Sequence, residues 1–396
     1  MTYFSELLIT QVHVEGFRSL RNVTVNLDPV TVLVGPNGSG KTSFVDALSF
    51  LSQCIMDSPE QALENRGGFD EVRTKIGPRP ADTADSIAIE VILRSRAEGL
   101  FSGSYFVRFG LDSVHKLSVR KEICQVSSGP DQQNYQYTVE NGKWVETVAG
   151  TAPKLARARL ALPLLSGVEY FAPVYNALTS LSFYSINSQA VSSPHESSAQ
   201  DRLTADGSNA ASILKKLQDG DSELAQKVLA ALSQMIPTIQ RVTPETSGRR
   251  LTLTFEENLT GDKPITFAAA SMSEGTLRTL AILLAIYSLE PPTLVALEEP
   301  ESAVHPGAAA ILAESLQEAG LRTQVLITTH SPDLITRFNA SSLRAVERIE
   351  GVTHIGPIAE NQMAAIQRKL FTAGEIHRIE GLRPSPKLTS DEGPHA

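Results

Sequence analysis

The chain has 396 residues, which at about 150 residues per domain allows two to three nominal domains and a large core. Its composition, 41% hydrophobic and 20% charged with a formal charge of −9, is that of an ordinary soluble globular protein, and the acidic balance argues against non-specific coating of nucleic acid. Cys54 and Cys124 are the only cysteines, which excludes a zinc ribbon or a disulfide framework and suits a reducing cytoplasm. The longest apolar run, Leu280 to Tyr287, is too short for a bilayer, and MTYFSELLIT lacks the pattern of a signal peptide, so secreted and membrane classes are set aside.

In chain order, period-two alternation predicts strands over 8–15 and 22–28, and the β-branched run Val30 to Val34 predicts a strand buried on both faces. A helix is expected from Thr42 to Cys54, with Phe44, Ala47, Leu48 and Leu51 on one face. Residues 57–80 read as an irregular loop. Strands follow over 85–93, 104–111, 116–126 and 135–141. Helical spacing over 154–165 and 208–235, around a Ser-rich stretch at 180–200, predicts a mostly helical insertion over 153–237. Strands are then expected at 238–243, 250–256, 293–297, 323–328, 343–347 and 353–355, with helices at 275–289, 307–319 and 361–369. The tail 384–396 is polar, Pro-rich and expected to be disordered. The domain reading is thus 1–152, 153–237 and 238–383, with no internal repeat and no heptad arm.

Gly35-Pro36-Asn37-Gly38-Ser39-Gly40-Lys41-Thr42 matches GxxxxGK[ST] completely, after a buried strand and before a helix. Small residues let successive N–H groups of Asn37, Gly38, Ser39 and Gly40 converge on phosphate oxygens, and the helix N-terminus adds a favourable dipole. Lys41 would reach the β- and γ-phosphates, and Thr42 would offer its hydroxyl to Mg²⁺. Thr293 to Leu297 forms an apolar strand that runs into Glu298-Glu299-Pro300-Glu301. Glu298 is placed to hold Mg²⁺, directly or through water, and Glu299 to polarise the attacking water.

Two further segments gain meaning from their neighbours. Ser271-Met272-Ser273-Glu274-Gly275-Thr276-Leu277-Arg278 precedes an apolar helix, and alone it is only an N-cap with an acid in the first turn. Ile327-Thr328-Thr329-His330-Ser331-Pro332 ends a buried strand. Open α/β sheets put their ligands at such strand ends, where a neutral His330 could bond a γ-phosphate or its water.

These elements in this order, with Phe17-Arg18-Ser19-Leu20 before the first, resemble the RecF/SMC-like branch of the ABC-type ATPases. The strings SMSEGTLR (271–278), LEEPESAVHP (297–306), ITTHSP (327–332) and GEIHRIEGL (374–382) resemble more narrowly a predicted-ATPase group related to the ATPase half of the OLD family, common in bacterial anti-phage and toxin-like loci. The resemblance covers roughly 1–50 and 240–382. It implies an α/β P-loop NTPase of ABC/RecF-like type, a mixed sheet core with an antiparallel β subdomain beside the helical insertion. It also implies that Ser273, Glu274 and Gly275 bind the ATP of the opposite subunit, and that Arg18 lies near the nucleotide. Glu298 stands where the usual first acid is aspartate, and His305 where the dimer-crossing loop keeps an aspartate. The Mg²⁺-sensing glutamine of that class has no matching motif, Gln125 being a weak candidate.

The expected function is therefore that of a cytoplasmic ATPase, ATP-binding and ATP-hydrolysing with Mg²⁺ and closing as an ATP-sandwiched homodimer. It would be the sensor or motor subunit of a defence-type complex. No coiled-coil hook lies between the halves, and too little chain follows Pro332 for a Toprim-like cluster, so an effector nuclease or toxin is expected on a separate chain. The alternatives are a RecF-like DNA-repair loader and a slow, ATP-loaded scaffold holding a partner protein. Nucleic acid is unsupported by charge, since Lys154/Arg157/Arg159 and Arg249/Arg250 are short basic clusters that read as solvated faces.

Overall fold

Alternating and continuous apolar runs sort this chain into three sheets. The structure is a computed structural model that describes residues 7–75, 86–97, 100–129, 133–147, 154–259, 263–302 and 304–386. In chain order the first elements are β1 (Leu7–Phe17), β2 (Leu20–Asn26), β3 (Val30–Val34), α1 (Lys41–Met56), α2 (Pro59–Glu64) and α3 (Phe69–Val72). Then come β4 (Ser86–Ser95), β5 (Phe101–Leu111), β6 (Leu117–Ser128), β7 (Gln133–Glu140), β8 (Lys143–Glu146), α4 (Ala172–Thr179), β9 (Leu181–Tyr184), α5 (Ser188–Ser192) and β10 (His195–Glu196). The middle continues with α6 (Ala210–Gly220), α7 (Ser222–Met235), β11 (Ile239–Ser247), β12 (Arg250–Glu257), β13 (Ile265–Ala268) and α8 (Glu274–Ile286). The last are β14 (Leu294–Glu298), α9 (Ala309–Ala319), β15 (Gln324–Thr329), α10 (Pro332–Ile335), β16 (Leu343–Ile349), β17 (Val352–Gly356), α11 (Glu360–Gln367) and α12 (Ala373–Ile379).

A seven-stranded antiparallel sheet runs β2-β1-β4-β5-β6-β7-β8, and a six-stranded sheet runs β17-β16-β3-β15-β14-β9. In the second, β16, β3, β15, β14 and β9 are mutually parallel, and β17 closes one edge antiparallel. A smaller sheet has β12 at its centre, paired with β10, β11 and β13. Pro244 sits in β11, an edge strand, the place in a sheet that tolerates a residue without an N–H.

The parallel strands read as unbroken apolar runs because each feeds two cores. Leu33, Leu294, Ala296 and Leu326 pack with α1 and the seven-stranded sheet, where Phe44, Leu48, Phe50 and Leu51 meet Phe17 and Phe109. The alternate residues Val32, Val34, Val295, Leu297, Val325 and Ile327 face α6 to α9. Helix α8 is apolar nearly all round because it is buried within that second core. Buried Gln324 fastens the two large sheets: its side chain accepts from Ile9 N at 2.9 Å and donates to Ile9 O at 2.8 Å and Asp28 O at 3.0 Å.

The mixed-sheet α/β fold with an antiparallel β subdomain is as expected, but several local expectations need correction. Residues 57–80 are not wholly irregular, since Ser58 caps α2 by accepting from Gln61 N, and α3 buries Phe69 and Val72; residues 76–80 fall outside the described part. Residues 154–165 hold only a short 3₁₀ turn at Leu162–Leu165, at whose start buried Glu122 takes the N–H groups of Ala161 and Leu162. The expected helix over 208–235 is two helices, broken where Asp221 turns extended and caps α7. The division at 153 and 237 does not follow the sheets either, as β9 lies within it and pairs with β14 in the six-stranded sheet. Pro384 bridges Ile358, so the expected tail begins ordered; residues 387–396 lie outside the described part.

Candidate functional site

Parallel register brings four strand ends to one edge. Glu298 of β14 is level with Thr328 of β15, Thr329 with Val34 of β3, and Leu297 with Tyr184 of β9. The segments that follow these strands, beginning at Glu299, His330, Gly35 and Ser185, therefore emerge together at the carboxyl edge, where open parallel sheets place ligands. A cleft of about 570 Å³ opens there, lined by the Asn37-to-Thr42 loop together with Ser19, Ser185, Arg278, Glu298, Glu299, Ser302, Thr328 and Arg348.

The loop from β3 to α1 needs its glycines. Gly38 and Gly40 adopt φ of 77° and 110°, the left-handed side that disfavours other residues, and a Cβ on Gly40 would collide with the Thr353 side chain. Thr353, on β17, explains that closeness: its hydroxyl lies 2.8 Å from Ser39 O and 2.8 Å from Ser19 Oγ. Buried Lys41 folds back along the loop and donates to Gly35 O at 2.7 Å and Pro36 O at 3.1 Å. Burial lowers its pKa, opposed by the nearby charges of Glu299, Glu301 and Glu298.

Thr42 and Glu298 face one another in the cleft, close enough for the hydroxyl to favour the charged carboxylate. Burial raises the Glu298 pKa and the charges of Glu299 and Asp46 push the same way, against Thr42 and Lys41. A hydroxyl and a carboxylate side by side at a phosphate loop are a hard-oxygen donor pair of the kind Mg²⁺ takes, so the residues fit that ion. Glu299 stands at φ 44°, a left-handed conformation costing about 1–2 kcal/mol for a residue with a Cβ, and it is held there by its N–H on Thr328 O at 2.9 Å. Its carboxylate meets His330 Nδ1 at 2.9 Å. Glu301, whose pKa is raised by burial, accepts from the Thr329 hydroxyl and so braces the same turn.

Of the residues singled out in the sequence, Asn37, Gly38, Ser39, Gly40, Lys41, Thr42, Glu298 and Glu299 share the cleft. His330 joins it through Glu299. Ser273 and Glu274 are exposed and outside the cleft lining; Ser273 caps α8 by accepting from Thr276 N at 3.1 Å, beside half-exposed Gly275. Arg18 is outside the lining too, paired with Asp46 of α1 at 2.6 Å, while its neighbour Ser19 reaches the cleft. Exposed His305 makes a local cap, its Nδ1 accepting from Gly307 N at 3.1 Å. Gln125 lies in β6, bonded to Gln136 at 2.7 Å, so it is no part of the site. Arg157 and Arg159 of the basic cluster are exposed and tied to Asp112 and to Asp57 O.

The residues that sequence reasoning passed over are Ser185, Ser302, Arg278, Arg348 and Thr353. Ser185 needed the pairing of β9 with β14, which no local pattern announces. Arg278 had a signal in its four-residue spacing from Glu274, which puts both on one side of a helix. Among the described residues, no cluster of three or more His, Cys, Asp or Glu stands ready for a metal ion, and no helix is long and apolar enough to cross a membrane.

Comparison with known proteins matches this geometry. Residues 132–336, just over half of the chain, match the family described as "AAA domain, putative AbiEii toxin, Type IV TA system". Residues 8–84, including the phosphate loop, match the family described as "AAA ATPase domain". Among solved structures, an SMC head bound to the C-winged helix domain of ScpA superposes with a TM-score of 0.55 at 12% identity, covering 90% of this chain and 99% of that one. The SMC head domain with an extended coiled coil from Pyrococcus furiosus, bound to the C-terminal domain of ScpA, gives a TM-score of 0.51 at 11% identity, covering 92% and 99%. With the phosphate loop and the acidic strand end on a fold like that of the SMC head, this protein belongs to the family described as "AAA domain, putative AbiEii toxin, Type IV TA system".

Proposed function

We propose that the chain binds and hydrolyses ATP with Mg²⁺, and that it works as a head-to-tail homodimer with two ATP molecules sandwiched between subunits. The observation that carries this reading is the convergence on one cleft of Lys41, the Thr42–Glu298 pair and the Glu299–His330 pair.

On binding, Lys41 exchanges the uncharged Gly35 and Pro36 carbonyl acceptors for anionic phosphate oxygens, so that both partners then carry charge. Loop N–H groups from Asn37 to Gly40 and the α1 N-terminus take the remaining oxygens. Thr42 and Glu298 would hold Mg²⁺, which supplies charge neutralisation across the β- and γ-phosphates when bound. Glu299 accepts the proton of the attacking water, and His330 holds that carboxylate in line through its Nδ1–H.

Exposure of Ser273 and Glu274, away from their own cleft, supports their use by the ATP of a second subunit. The toxin–antitoxin system named in the matched family description supports a place in a bacterial defence-type system. The ScpA domains bound to the SMC heads support a protein partner in general. Glu299→Gln tests this reading: it should retain ATP while turnover falls by roughly 10²–10⁴-fold, the usual range for a removed general base. The trapped nucleotide should make a dimer persist in light scattering. Hydrolysis at the wild-type rate would move the base elsewhere, with Glu298 and Glu301 next.

A further inference from the structure

The sequence resemblance carried a role for Ser273 to Gly275 but none for Arg278, one turn further along α8. That side chain lines the nucleotide cleft of its own subunit with Lys41, Glu298, Glu299, Ser302 and Thr328. A guanidinium has five N–H donors in a rigid fork. Here its ion pair is with Glu274 at 3.7 Å, longer than a charge-assisted hydrogen bond, and its Nε is buried without a hydrogen-bond partner. The side chain is 21% exposed, so water does not fully compensate it. A phosphate in the cleft would give the guanidinium the close anionic partner that Glu274 at 3.7 Å does not.

We infer that Arg278 is a phosphate-binding residue that reads the terminal phosphate of the nucleotide in its own subunit's cleft. This deepens the ATPase reading and rests on it. The assignment to the terminal phosphate follows from the company Arg278 keeps. If Glu299 is to reach the attacking water, the γ-phosphate lies at the acidic end of the cleft, and the charge added there by a triphosphate over a diphosphate is what a second cation beside Lys41 offsets. The consequence is a link between the two sites. Ser273, which faces outward, and Arg278, which faces the cleft, sit on the first turns of one helix, so occupancy by ATP and not ADP bears on the surface offered to the second subunit.

The test measures binding of ADP and of β,γ-imido-ATP to the full chain by calorimetry, in wild type, Arg278→Ala and Arg278→Lys. Loss of a hydrogen-bonded charge should weaken the triphosphate analogue about 10- to 100-fold in Arg278→Ala and leave ADP affinity unchanged. Arg278→Lys should restore part of the preference, since it returns the charge without the fork. Unchanged ADP affinity also reports an intact fold. If Arg278→Ala keeps the wild-type preference for the analogue, or loses ADP and analogue alike, the inference is overturned while the ATPase reading stands. If the wild type binds neither nucleotide, the ATPase reading itself falls.

Discussion

His330 Nδ1 stands 2.9 Å from Glu299 Oε1, although the two residues are 31 apart in sequence and lie on loops after different strands. Parallel pairing of β14 with β15 makes this contact, because Glu298 and Thr328 are in register and the next turns leave the sheet side by side. The imidazole holds a carboxylate that backbone conformation alone leaves free to rotate. His330→Ala is therefore expected to lower kcat about 100-fold, the cost of misplacing a reacting group by about an ångström. Nucleotide affinity should stay close to wild type. A variant whose kcat is unchanged while KM rises would make His330 a binding residue instead.

Thr353 tests the architecture of the phosphate loop. Its side chain fills the space where a Gly40 Cβ would go, and Gly40 has φ 110°. Gly40→Ala should destabilise the fold by at least about 1–2 kcal/mol from the backbone alone and weaken nucleotide binding as the loop shifts. Adding Thr353→Ala removes the collision but not the backbone strain, so the double variant should recover part of the affinity. Equal affinity in both variants would show that Thr353 does not shape the loop.

Glu122 offers a prediction far from the cleft. Fully buried, it accepts from Tyr105 and Tyr137 hydroxyls at 3.0 and 2.8 Å and from Ala161 and Leu162 N–H groups at 2.7 and 2.9 Å. Glu122→Gln turns an NH₂ toward donors and should cost roughly 1–3 kcal/mol, the range for leaving a buried group unsatisfied. Burial raises the folded-state pKa above the ordinary glutamate value despite these four bonds. The wild type thus binds more protons folded than unfolded between the two pKa values. Its advantage over the variant should be smallest above the raised folded pKa and grow as pH falls toward the ordinary glutamate range. Denaturant midpoints across pH check this, and an advantage that shrinks on acidification would contradict the sign.

Much of this site was legible because its chemistry is local. The phosphate loop and the strand ending in Glu298 and Glu299 each combine a motif with its own structural context, so the roles of Lys41, Thr42 and the acids could be written down before any pairing was known. What escaped depends on contacts between distant segments. Four residues at 181–184, inside a Ser-rich stretch, form β9 only because β14 offers an edge, and Ser185 reaches the cleft for that reason. Glu122 and the Ala161 and Leu162 N–H groups are likewise about forty residues apart, so the irregular backbone that replaces the expected helix near 160 had no local sign. Gln125, the weak candidate for a sensing glutamine, shows the converse: a residue of the right type that the sheet carries away from the site.

Ser273 is expected to matter only in the closed pair of subunits. Ser273→Arg should spare folding and nucleotide binding by the single chain, yet abolish ATP-driven dimerisation and hydrolysis through clash and charge repulsion. Mixing it with Lys41→Ala chains should return partial activity, since a heterodimer rebuilds one intact site from the phosphate loop of the first chain and Ser273 of the second. Normal dimerisation and hydrolysis by Ser273→Arg alone would reduce the segment to the helix cap that its bond to Thr276 already makes it.

The most direct measurement of the central claim is calorimetric binding of Mg²⁺-ATP to wild type and Lys41→Ala, with phosphate release followed on the same samples. On the proposed reading, loop N–H groups alone cannot offset the phosphate charge that the buried Lys41 ammonium would neutralise. The wild type should bind and hydrolyse ATP, and Lys41→Ala should lose both. Equal nucleotide affinity in the two proteins would contradict the assignment of this cleft as an ATP site.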